Sequence, residues 1–282
     1  MSNRKKGKKI RRVSSIIYAC LIYIFLYLPI VVVIVFSFNT SKLNLRFEGF
    51  TFEWYLKMFD NKPLIDSFKN SIIVAVSSTF ISVVVGTIAS VGMYRYSFRG
   101  KGIIDSMLYI PIVIPEIILG ISLLMLFTAF EITLGMLTLI IAHVSFSLPF
   151  VIVTVRSRMS GFDRSIEEAA MDLGASPIRT FTRITLPIIA PGVVAGAMLA
   201  LTLSLDDVIV SFFTTGIKSK TFPIQIQGMV RTGVSPDVYA LSTLLIVGTI
   251  IIMILVNVFD RIADKKMYGE EKSIDEERVP FV

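Results

Sequence analysis

The stretch that constrains the fold most strongly is SIEEAAMDLGASPIRTFTRITLP, residues 165–187. It lies within a longer polar segment, 156–187, that separates two apolar runs of the chain. Ser165 and Glu168 have the spacing of a capping box, in which the two side chains satisfy free amide groups at a helix start. The pattern therefore predicts a helix that begins near Ser165, with one apolar stripe made by Ile166, Ala169, Ala170 and Leu173.

The second half of the same stretch predicts a bend and another helix. Gly174 is a natural end for the first helix, because glycine readily adopts the left-handed conformation found after many helix C-termini. Ser176 and Pro177 supply an N-cap and a first-turn proline for a second helix. Leu186-Pro187 is expected to end that helix before the next apolar run. The segment should form two short helices at a sharp angle, projecting from a membrane.

Six apolar stretches meet or approach the roughly 20 residues that a helix needs to cross the hydrocarbon core of a bilayer. The chain is 54% hydrophobic and only 17% charged, which excludes a disordered protein and an ordinary soluble enzyme. Only Glu131 separates the third stretch from the fourth, which predicts a tight hairpin. The fifth contains Asp206-Asp207, and an end before that pair is the alternative to a span that runs through to Phe213. The stretches are Ser14–Phe38, Ser71–Tyr94, Ile103–Phe130, Ile132–Val155, Ile188–Phe213 and Val238–Phe259.

The distribution of basic residues predicts that both termini are cytoplasmic. Alternate sides of the six spans carry 20 and 8 Lys and Arg residues, and the richer set includes both termini. The net charge of +7 equals the seven basic residues of a head without acidic residues. This surplus suits anionic lipid headgroups, so no nucleic-acid partner is expected. The predicted organisation is a basic head at 1–13, a six-helix transmembrane domain at 14–260 and a charged tail at 261–282.

Catalytic and cofactor motifs are absent from the sequence. It contains no P-loop and no serine nucleophile elbow. One Cys and one His exclude a Cys-based metal site and a Cys-His nucleophile pair. The single histidine, His143, lies in the fourth span, where we predict a hydrogen-bonded packing residue, with a proton relay as the alternative. No metal or cofactor is expected on this chain.

Carboxylates within the apolar spans are functional candidates, because a charge inside a membrane is costly. Glu116 lies in the third span after Pro111 and Pro115, and such prolines can unwind a helix that lines a cavity. Asp206 and Asp207 are adjacent in the fifth stretch, where two like charges tend to hold a proton or a cation. Capping of an external segment is the alternative role for Asp207.

The polar segment carries a longer pattern, formed by Glu168-Ala169-Ala170, Gly174, Ile184 and Leu186-Pro187. Every spaced element of this pattern resembles the EAA signature of permease subunits of ATP-binding-cassette (ABC) importers. The resemblance implies the type I importer fold, all-α with six transmembrane helices, and a coupling loop at 156–187 that docks into the ATPase subunit. Ala169 and Ala170 would let a partner surface approach closely, and Glu168 would offer it a charge.

Further segments resemble the C-type permease subunits of spermidine/putrescine (polyamine) transport systems. The resemblance covers roughly residues 12–262, and it is carried by 94–101 (YRYSFRGK), 148–151 (LPFV), 204–208 (SLDDV) and 233–236 (GVSP). It implies that Trp54, Glu116 and Asp206 act in polyamine transport. An aromatic face suits an amine through cation–π contact. For Trp54, beside Glu53 and Tyr55 in an outer loop, anchoring at the membrane interface is the alternative.

The resemblance also implies the partners of the chain. They are a homologous second permease, a dimer of ATPase subunits that carries ATP and Mg²⁺, and an extracytoplasmic polyamine-binding protein that delivers to loops 39–70 and 214–237. The chain itself would be a non-catalytic, multi-pass subunit in a bacterial inner membrane. Alternatives are a permease for another small solute, such as an aminophosphonate or thiamine, a stand-alone channel, and a membrane-embedded enzyme. No span has a central Lys or Arg, which disfavours an anionic substrate.

Overall fold

The described part of the chain is helical almost throughout. The structure is a computed structural model that describes residues 2–41, 46–230 and 234–277, with the side chains of 14–41, 46–230, 234–255 and 258. Within these residues, extended pairing is confined to one bridge between Asn39 and Phe50. The helices are α1 (Ser2–Phe36), α2 (Glu53–Lys57), α3 (Lys62–Arg95), α4 (Lys101–Val113), α5 (Glu116–Ala129), α6 (Met136–Met159), α7 (Ser165–Asp172), α8 (Pro177–Thr180), α9 (Leu186–Asp206), α10 (Ile209–Thr214), α11 (Phe222–Val230) and α12 (Pro236–Glu277).

The predicted number of spans agrees with the helices that are long and apolar enough to cross a membrane. In the described residues there are 5 such helices, and a bent pair makes a sixth span when its two halves are taken together. The five are Ser14–Phe36, Lys62–Arg95, Met136–Met159, Pro177–Asp206 and Pro236–Leu255, and the bent pair is α4 with α5. The helix of the second span, α3, is longer than predicted, because it begins at Lys62 instead of Ser71.

The third predicted span, Ile103–Phe130, is not one continuous helix. α4 and α5 meet at an angle of 109°. Pro115 explains the break, since a proline forces the preceding residue out of the helical region, and Ile114 has φ −66° and ψ 134°. The carbonyl of Pro115 accepts hydrogen bonds from the amides of Ile118 (2.9 Å) and Leu119 (3.3 Å). These two bonds form the first turn of the new helix.

The tight turn predicted at Glu131 is confirmed. Glu131 is exposed and adopts a left-handed conformation with φ 54°. The amides of Glu131 and Ile132 donate to the carbonyls of Thr128 (3.0 Å) and Phe127 (2.8 Å), a pattern that closes many helix ends. The next helix begins at Met136 and not at Ile132 as predicted, since Gly135 has extended backbone angles and is the N-cap of that helix.

The fifth span starts in the polar segment and ends at Asp206. α8 passes through a π-helical turn at Phe181–Thr185 directly into α9. The prediction that Leu186-Pro187 ends a helix is therefore wrong. A proline within a helix removes one hydrogen bond and crowds the carbonyl of the preceding turn. The wider π-turn immediately before Pro187 relieves that crowding, so the helix continues.

Two compact units make up the chain, Met1–Lys62 with Met229–Val282, and Pro63–Gly228. In the first unit, α12 packs against α1 and α2. In the second, α6 packs along α9, and α10 packs against α5 and α6. The division into a head, a membrane domain and a tail at 1–13, 14–260 and 261–282 stays a prediction. Gly233 of the quoted segments, the last residues of the tail (278–282) and the side chains of the head lie outside the described residues.

Small residues allow close helix packing in the second unit. A Cβ on Gly192 of α9 would lie 2.7 Å from the Cβ of Arg158 on α6, and one on Gly86 of α3 would lie 2.9 Å from Val151. Small residues take this role in membrane helices because they let backbones approach. A buried apolar cluster fills the same region, formed by Val91, Val151, Val155, Met159, Ile189 and Ala200.

Gly120 provides a test of the contact between α5 and α10. A Cβ at this position would lie 2.7 Å from Cδ2 of Phe213 and 3.4 Å from the Cα of Val210. We expect Gly120→Val to lower the free energy of unfolding in detergent by about 1–3 kcal/mol, the usual cost of overpacking. The measurement is the apparent Tm of the purified protein. Gly102→Val is the matched control, because a Cβ on this helical glycine meets nothing within 4 Å. Equal Tm values for the two variants would contradict the contact.

Candidate functional site

Glu116 is placed by the helix break at Pro115. It is the first residue of α5, and its side chain is exposed within this chain. A carboxylate in the first turn of a helix is stabilised by the partial positive charge of the helix N-terminus. The break therefore supplies a favourable position for a charge that a continuous apolar helix would not.

The two adjacent aspartates have different surroundings. Asp206 is the last residue of α9 and is exposed, whereas Asp207 is 9% exposed. The carboxylate of Asp207 accepts hydrogen bonds from the amides of Val210 (3.1 Å) and Ser211 (2.7 Å) at the start of α10. The capping alternative for Asp207 is thus present in the structure. The helix of the fifth span, α9, ends at Asp206, because Asp207 has extended backbone angles.

The three carboxylates line one cavity in the second unit. Its volume is about 230 Å³, and its lining residues are Glu116, Leu203, Asp206, Asp207, Val208 and Ile209. The wall therefore combines three acidic side chains with three aliphatic ones and contains no Lys or Arg. Such a wall can bind a cationic group and at the same time contact apolar atoms of the same molecule. The structure thus brings together three of the four side chains predicted to act on a substrate.

Trp54, the fourth predicted pathway residue, lies in the first unit and is 8% exposed. Its indole N–H donates to the backbone carbonyl of Asn39 at 2.6 Å. The ammonium of Lys57 lies 5.1 Å from the centre of the Trp54 ring, a cation–π contact within the same short helix. The indole therefore has partners inside its own unit, and its role in transport stays a prediction.

The first helix of the polar segment begins where predicted, but its cap is different. α7 starts at Ser165, and the amide of Ser165 donates to Oδ1 of Asp163 at 2.9 Å. The predicted capping box from Ser165 to Glu168 is wrong, because Ser165 is already the first helical residue and cannot cap the helix. Hydrogen bonds from the backbone and side chain of Ser165 lower the pKa of the Asp163 carboxyl. Asp163 therefore stays ionised at neutral pH and satisfies the helix start.

The bend predicted after α7 is confirmed. Gly174 has φ +87°. The amides of Gly174 and Ala175 donate to the carbonyls of Met171 (2.9 Å) and Ala170 (3.0 Å), which is the Schellman arrangement. Ser176 then caps α8 by accepting a hydrogen bond from the amide of Arg179 at 3.4 Å, with Pro177 as the first helical residue.

The residues of the EAA pattern show a graded exposure. Glu168, Ala169, Gly174 and Pro187 are exposed, while Ala170, Ile184 and Leu186 are half-buried. Large apolar side chains on the same segment are also exposed, with Leu173 at 90% and Ile178 at 77%. Nε of Arg164 lies 3.4 Å from Oε1 of Glu168, but both side chains are mostly in solvent, where such a pair contributes little. The surface of the segment thus combines the exposed carboxylate of Glu168 with exposed apolar side chains.

Glu167, which the sequence analysis did not single out, holds this segment in place. Its side chain is 4% exposed and forms an ion pair with Arg95 at the end of α3. Arg95 Nε lies 3.0 Å from Oε2, and the other carboxylate oxygen accepts from Arg95 and from the hydroxyl of Thr185. Arg95 also donates to Thr185 at 3.0 Å. We call these three residues the Glu167 clamp; it ties α7 to α3 and to the π-turn before α9.

The electrostatics of the Glu167 clamp favour the charged carboxylate. Burial raises the pKa of Glu167, but the hydrogen bonds from Arg95 and Thr185, with the charges of Arg95 and Arg164, outweigh burial and lower the pKa below 4.5. The clamp therefore persists at neutral pH and is lost only when the pH falls through this lowered pKa. The sequence could not reveal it, because Glu167 and Glu168 are adjacent and only tertiary packing shows which one faces Arg95.

The family described as "Binding-protein-dependent transport system inner membrane component" matches residues 82–268. The chain belongs to this family. It is therefore a permease component of an ABC importer and a multi-pass protein of the inner membrane, as the EAA pattern predicts.

Individual relatives support the same assignment. The spermidine/putrescine transport system permease protein PotC of Escherichia coli K12 is 42% identical over 89% of this chain and 95% of that protein. PotC of Haemophilus influenzae is 40% identical over 86% of this chain and 94% of that protein. The putrescine transport system permease protein PotI of Escherichia coli K12 is 39% identical over 82% of this chain and 85% of that protein.

A solved structure supports the fold. A chain of a bacterial ABC transporter for import of the acidic polysaccharide alginate superposes with a TM-score of 0.65 over 89% of this chain and 96% of that chain, at 16% identity. The likeness confirms the predicted importer permease fold. At this identity it carries no information on substrate.

The Glu167 clamp predicts a specific effect on α7. Glu167→Gln keeps the shape of the side chain but leaves Arg95, which is 17% exposed, without its counter-charge. We expect local opening of α7 to become easier by about 3 kcal/mol, the cost of removing one partner of a buried pair. Hydrogen exchange of the amides of residues 165–172, followed by mass spectrometry, should therefore accelerate about a hundredfold.

Glu168→Gln is the matched control for that measurement. It makes the same chemical change one residue away on an exposed side chain, so exchange in α7 should change by less than about twofold. Similar exchange rates in the two variants would contradict the Glu167 clamp.

Proposed function

We propose that this chain carries polyamines such as spermidine and putrescine across the inner membrane, as one of two permease subunits of an importer. The observation that supports this best is the cavity lined by Glu116, Asp206 and Asp207, which has no basic residue in its wall. The relatives named for spermidine/putrescine and putrescine transport support the same substrate class.

The chemistry of a polyamine matches the composition of this wall. Protonated amines separated by methylene groups need carboxylates at intervals and apolar contacts between them. Glu116 and Asp206 would bind ammonium groups, and Leu203, Val208 and Ile209 would contact the methylene spacers. Asp207 would add negative potential while its oxygens cap α10. An anionic solute such as an aminophosphonate would find no counter-charge in this cavity.

The remaining roles follow from the EAA pattern. A homologous second permease would complete the pathway, and a dimer of ATPase subunits would bind ATP and Mg²⁺ and dock on the coupling segment. Within that segment, Glu168, Ala169 and Ala170 would contact the ATPase, Gly174 would set the bend, and Ile184, Leu186 and Pro187 would lead into α9. A polyamine-binding protein would deliver substrate on the outer face. Both termini would be cytoplasmic, as the distribution of Lys and Arg indicates.

ATP-driven closure of the ATPase dimer would move the coupling segment and reorient the two permeases. Substrate would then pass between them by alternating access, held and released by carboxylates such as Glu116 and Asp206. This chain would contribute binding and movement, and the ATPase subunits would contribute the chemistry.

The test is reconstitution of the complete importer in lipid vesicles. Polyamine-loaded binding protein should stimulate ATP hydrolysis and drive uptake of labelled spermidine or putrescine. If neither polyamine stimulates hydrolysis or enters the vesicles, the proposed substrate class is wrong.

Asp206→Asn tests the role of the cavity in the same vesicles. Removing one negative charge should lower spermidine uptake about tenfold or more and should lower basal ATP hydrolysis by a smaller factor, because a close charge pair near a protein surface is worth more than about 1.4 kcal/mol. Glu131→Asn is the control, since this exposed turn residue keeps its left-handed conformation with asparagine. Equal losses of uptake and hydrolysis in Asp206→Asn would assign Asp206 a structural role instead.

A further inference from the structure

His143 lies at the centre of a buried polar network that the transport chemistry does not use directly. It is on α6, and its side chain is 0% exposed. Nδ1 lies 2.6 Å from the hydroxyl of Ser204, and Nε2 lies 2.8 Å from the hydroxyl of Ser211. The sequence-based expectation of a hydrogen-bonded packing residue is therefore confirmed, and the structure adds the identity of the partners.

The two serines lie on opposite sides of the aspartate pair. Ser204 is on α9, just before Asp206, and Ser211 is on α10, shortly after Asp207. The imidazole therefore bridges the two helices across the helix break that contains both carboxylates. Oδ2 of Asp207 is 3.6 Å from Nε2 of His143, so the ring also lies against the cap of α10.

Other hydrogen bonds anchor this bridge to the neighbouring helices. The hydroxyl of Ser204 lies 3.3 Å from that of Ser78 on α3. Near the start of α6, the hydroxyl of Thr138 donates to the carbonyl of Thr214, at the end of α10, at 2.8 Å. α10 is thus fixed to α6 at both of its ends. Because α10 also packs against α5 at Gly120, one turn beyond Glu116, it links the helix that carries Glu116 to the end of α9 that carries Asp206.

The hydrogen-bond chemistry of the bridge needs no change of charge. A neutral imidazole has one donor and one acceptor nitrogen, and a serine hydroxyl can donate or accept. Either tautomer satisfies both contacts if one serine donates and the other accepts. The ring can therefore remain neutral while it fixes geometry, which favours a positional role over the proton relay.

We propose that His143 is a positioning residue for the substrate cavity, holding α9 and α10 so that Asp206 and Glu116 face the same ligand. The inference rests on the proposed polyamine function and adds a residue that does not itself touch the substrate. Without the imidazole, Ser204 and Ser211 lose their shared partner, and the backbone at the Asp206-Asp207 helix break becomes more mobile. A displacement of about 1 Å in such a site can lower a rate by one to two orders of magnitude.

The experiment measures spermidine uptake by the complete importer in vesicles, with saturating loaded binding protein. His143→Ala should lower uptake about tenfold. In an Asp206→Asn background the same change should lower uptake by less than twofold, because the carboxylate that His143 positions is already gone. His143→Gln should recover part of the loss, since its amide supplies a donor and an acceptor.

Ser145→Ala on the same helix is the matched control. Ser145 is half-buried, and its hydroxyl donates within its own helix, to the carbonyl of Ile141 at 2.8 Å, so uptake should remain at the wild-type level. Ser204→Ala and Ser211→Ala, which each remove one partner of the ring, should give intermediate losses. They keep the test decisive if His143→Ala does not assemble.

Three results would overturn the proposal. The first is wild-type uptake in the histidine variant and in both serine variants. The second is a loss of the same size with and without Asp206→Asn, which would indicate a general structural role. The third is uptake by His143→Gln that is no higher than uptake by His143→Ala. A wild-type importer without polyamine uptake would instead refute the proposed function and the inference with it.

Discussion

Backbone amides and carbonyls inside a bilayer must find their hydrogen-bond partners within the protein, and the whole candidate site depends on how the chain meets this requirement. Two helix breaks occur beside carboxylates, and local hydrogen bonds start the next helix at each. At Pro115 the backbone carbonyl accepts hydrogen bonds from the amides of Ile118 and Leu119 and so begins the first turn of α5. At Asp207 the side chain accepts hydrogen bonds from the amides of Val210 and Ser211 in the first turn of α10. Because a new helix begins at each break, Glu116 and Asp206 can both line one cavity.

The helix that carries Asp206 also reaches the polar segment with the EAA pattern. The run from Pro177 to Asp206 is helical throughout, since the π-turn at Phe181–Thr185 carries it past Pro187. The start of this run and Asp206 therefore belong to one helical element, without a loop between them. The Glu167 clamp joins α7 to this run and to α3, so α7 is attached to two spans and not to one.

Local chemistry explains which features the sequence predicts well. Gly174 and Ser176-Pro177 act through their own backbone preferences, and the structure uses them as predicted. Predictions fail where two local preferences compete. Ser165 could cap α7, but Asp163 stands two residues earlier and does so instead. Leu186-Pro187 should end a helix, but a π-turn accommodates the proline, and no periodicity in the sequence signals such a turn.

Tertiary contacts are the part that a single sequence cannot provide. The energetic cost of a charge in an apolar span identifies the carboxylates as candidates. Their position in one cavity, however, depends on the packing of α10 against α5. Likewise, the sequence places His143 in a span but cannot name Ser204 and Ser211 as its partners. The burial of Glu167 and the exposure of Glu168 also follow from packing, because the two side chains are chemically identical.

The central claim is that carboxylates from two helix breaks bind one polyamine. The most direct measurement is an experimental structure of the assembled importer with spermidine, trapped while the pathway is occupied. The account predicts elongated ligand density with ammonium groups within hydrogen-bond distance of Glu116 and Asp206. Ligand density in a pathway that leaves both carboxylates without contact would contradict it.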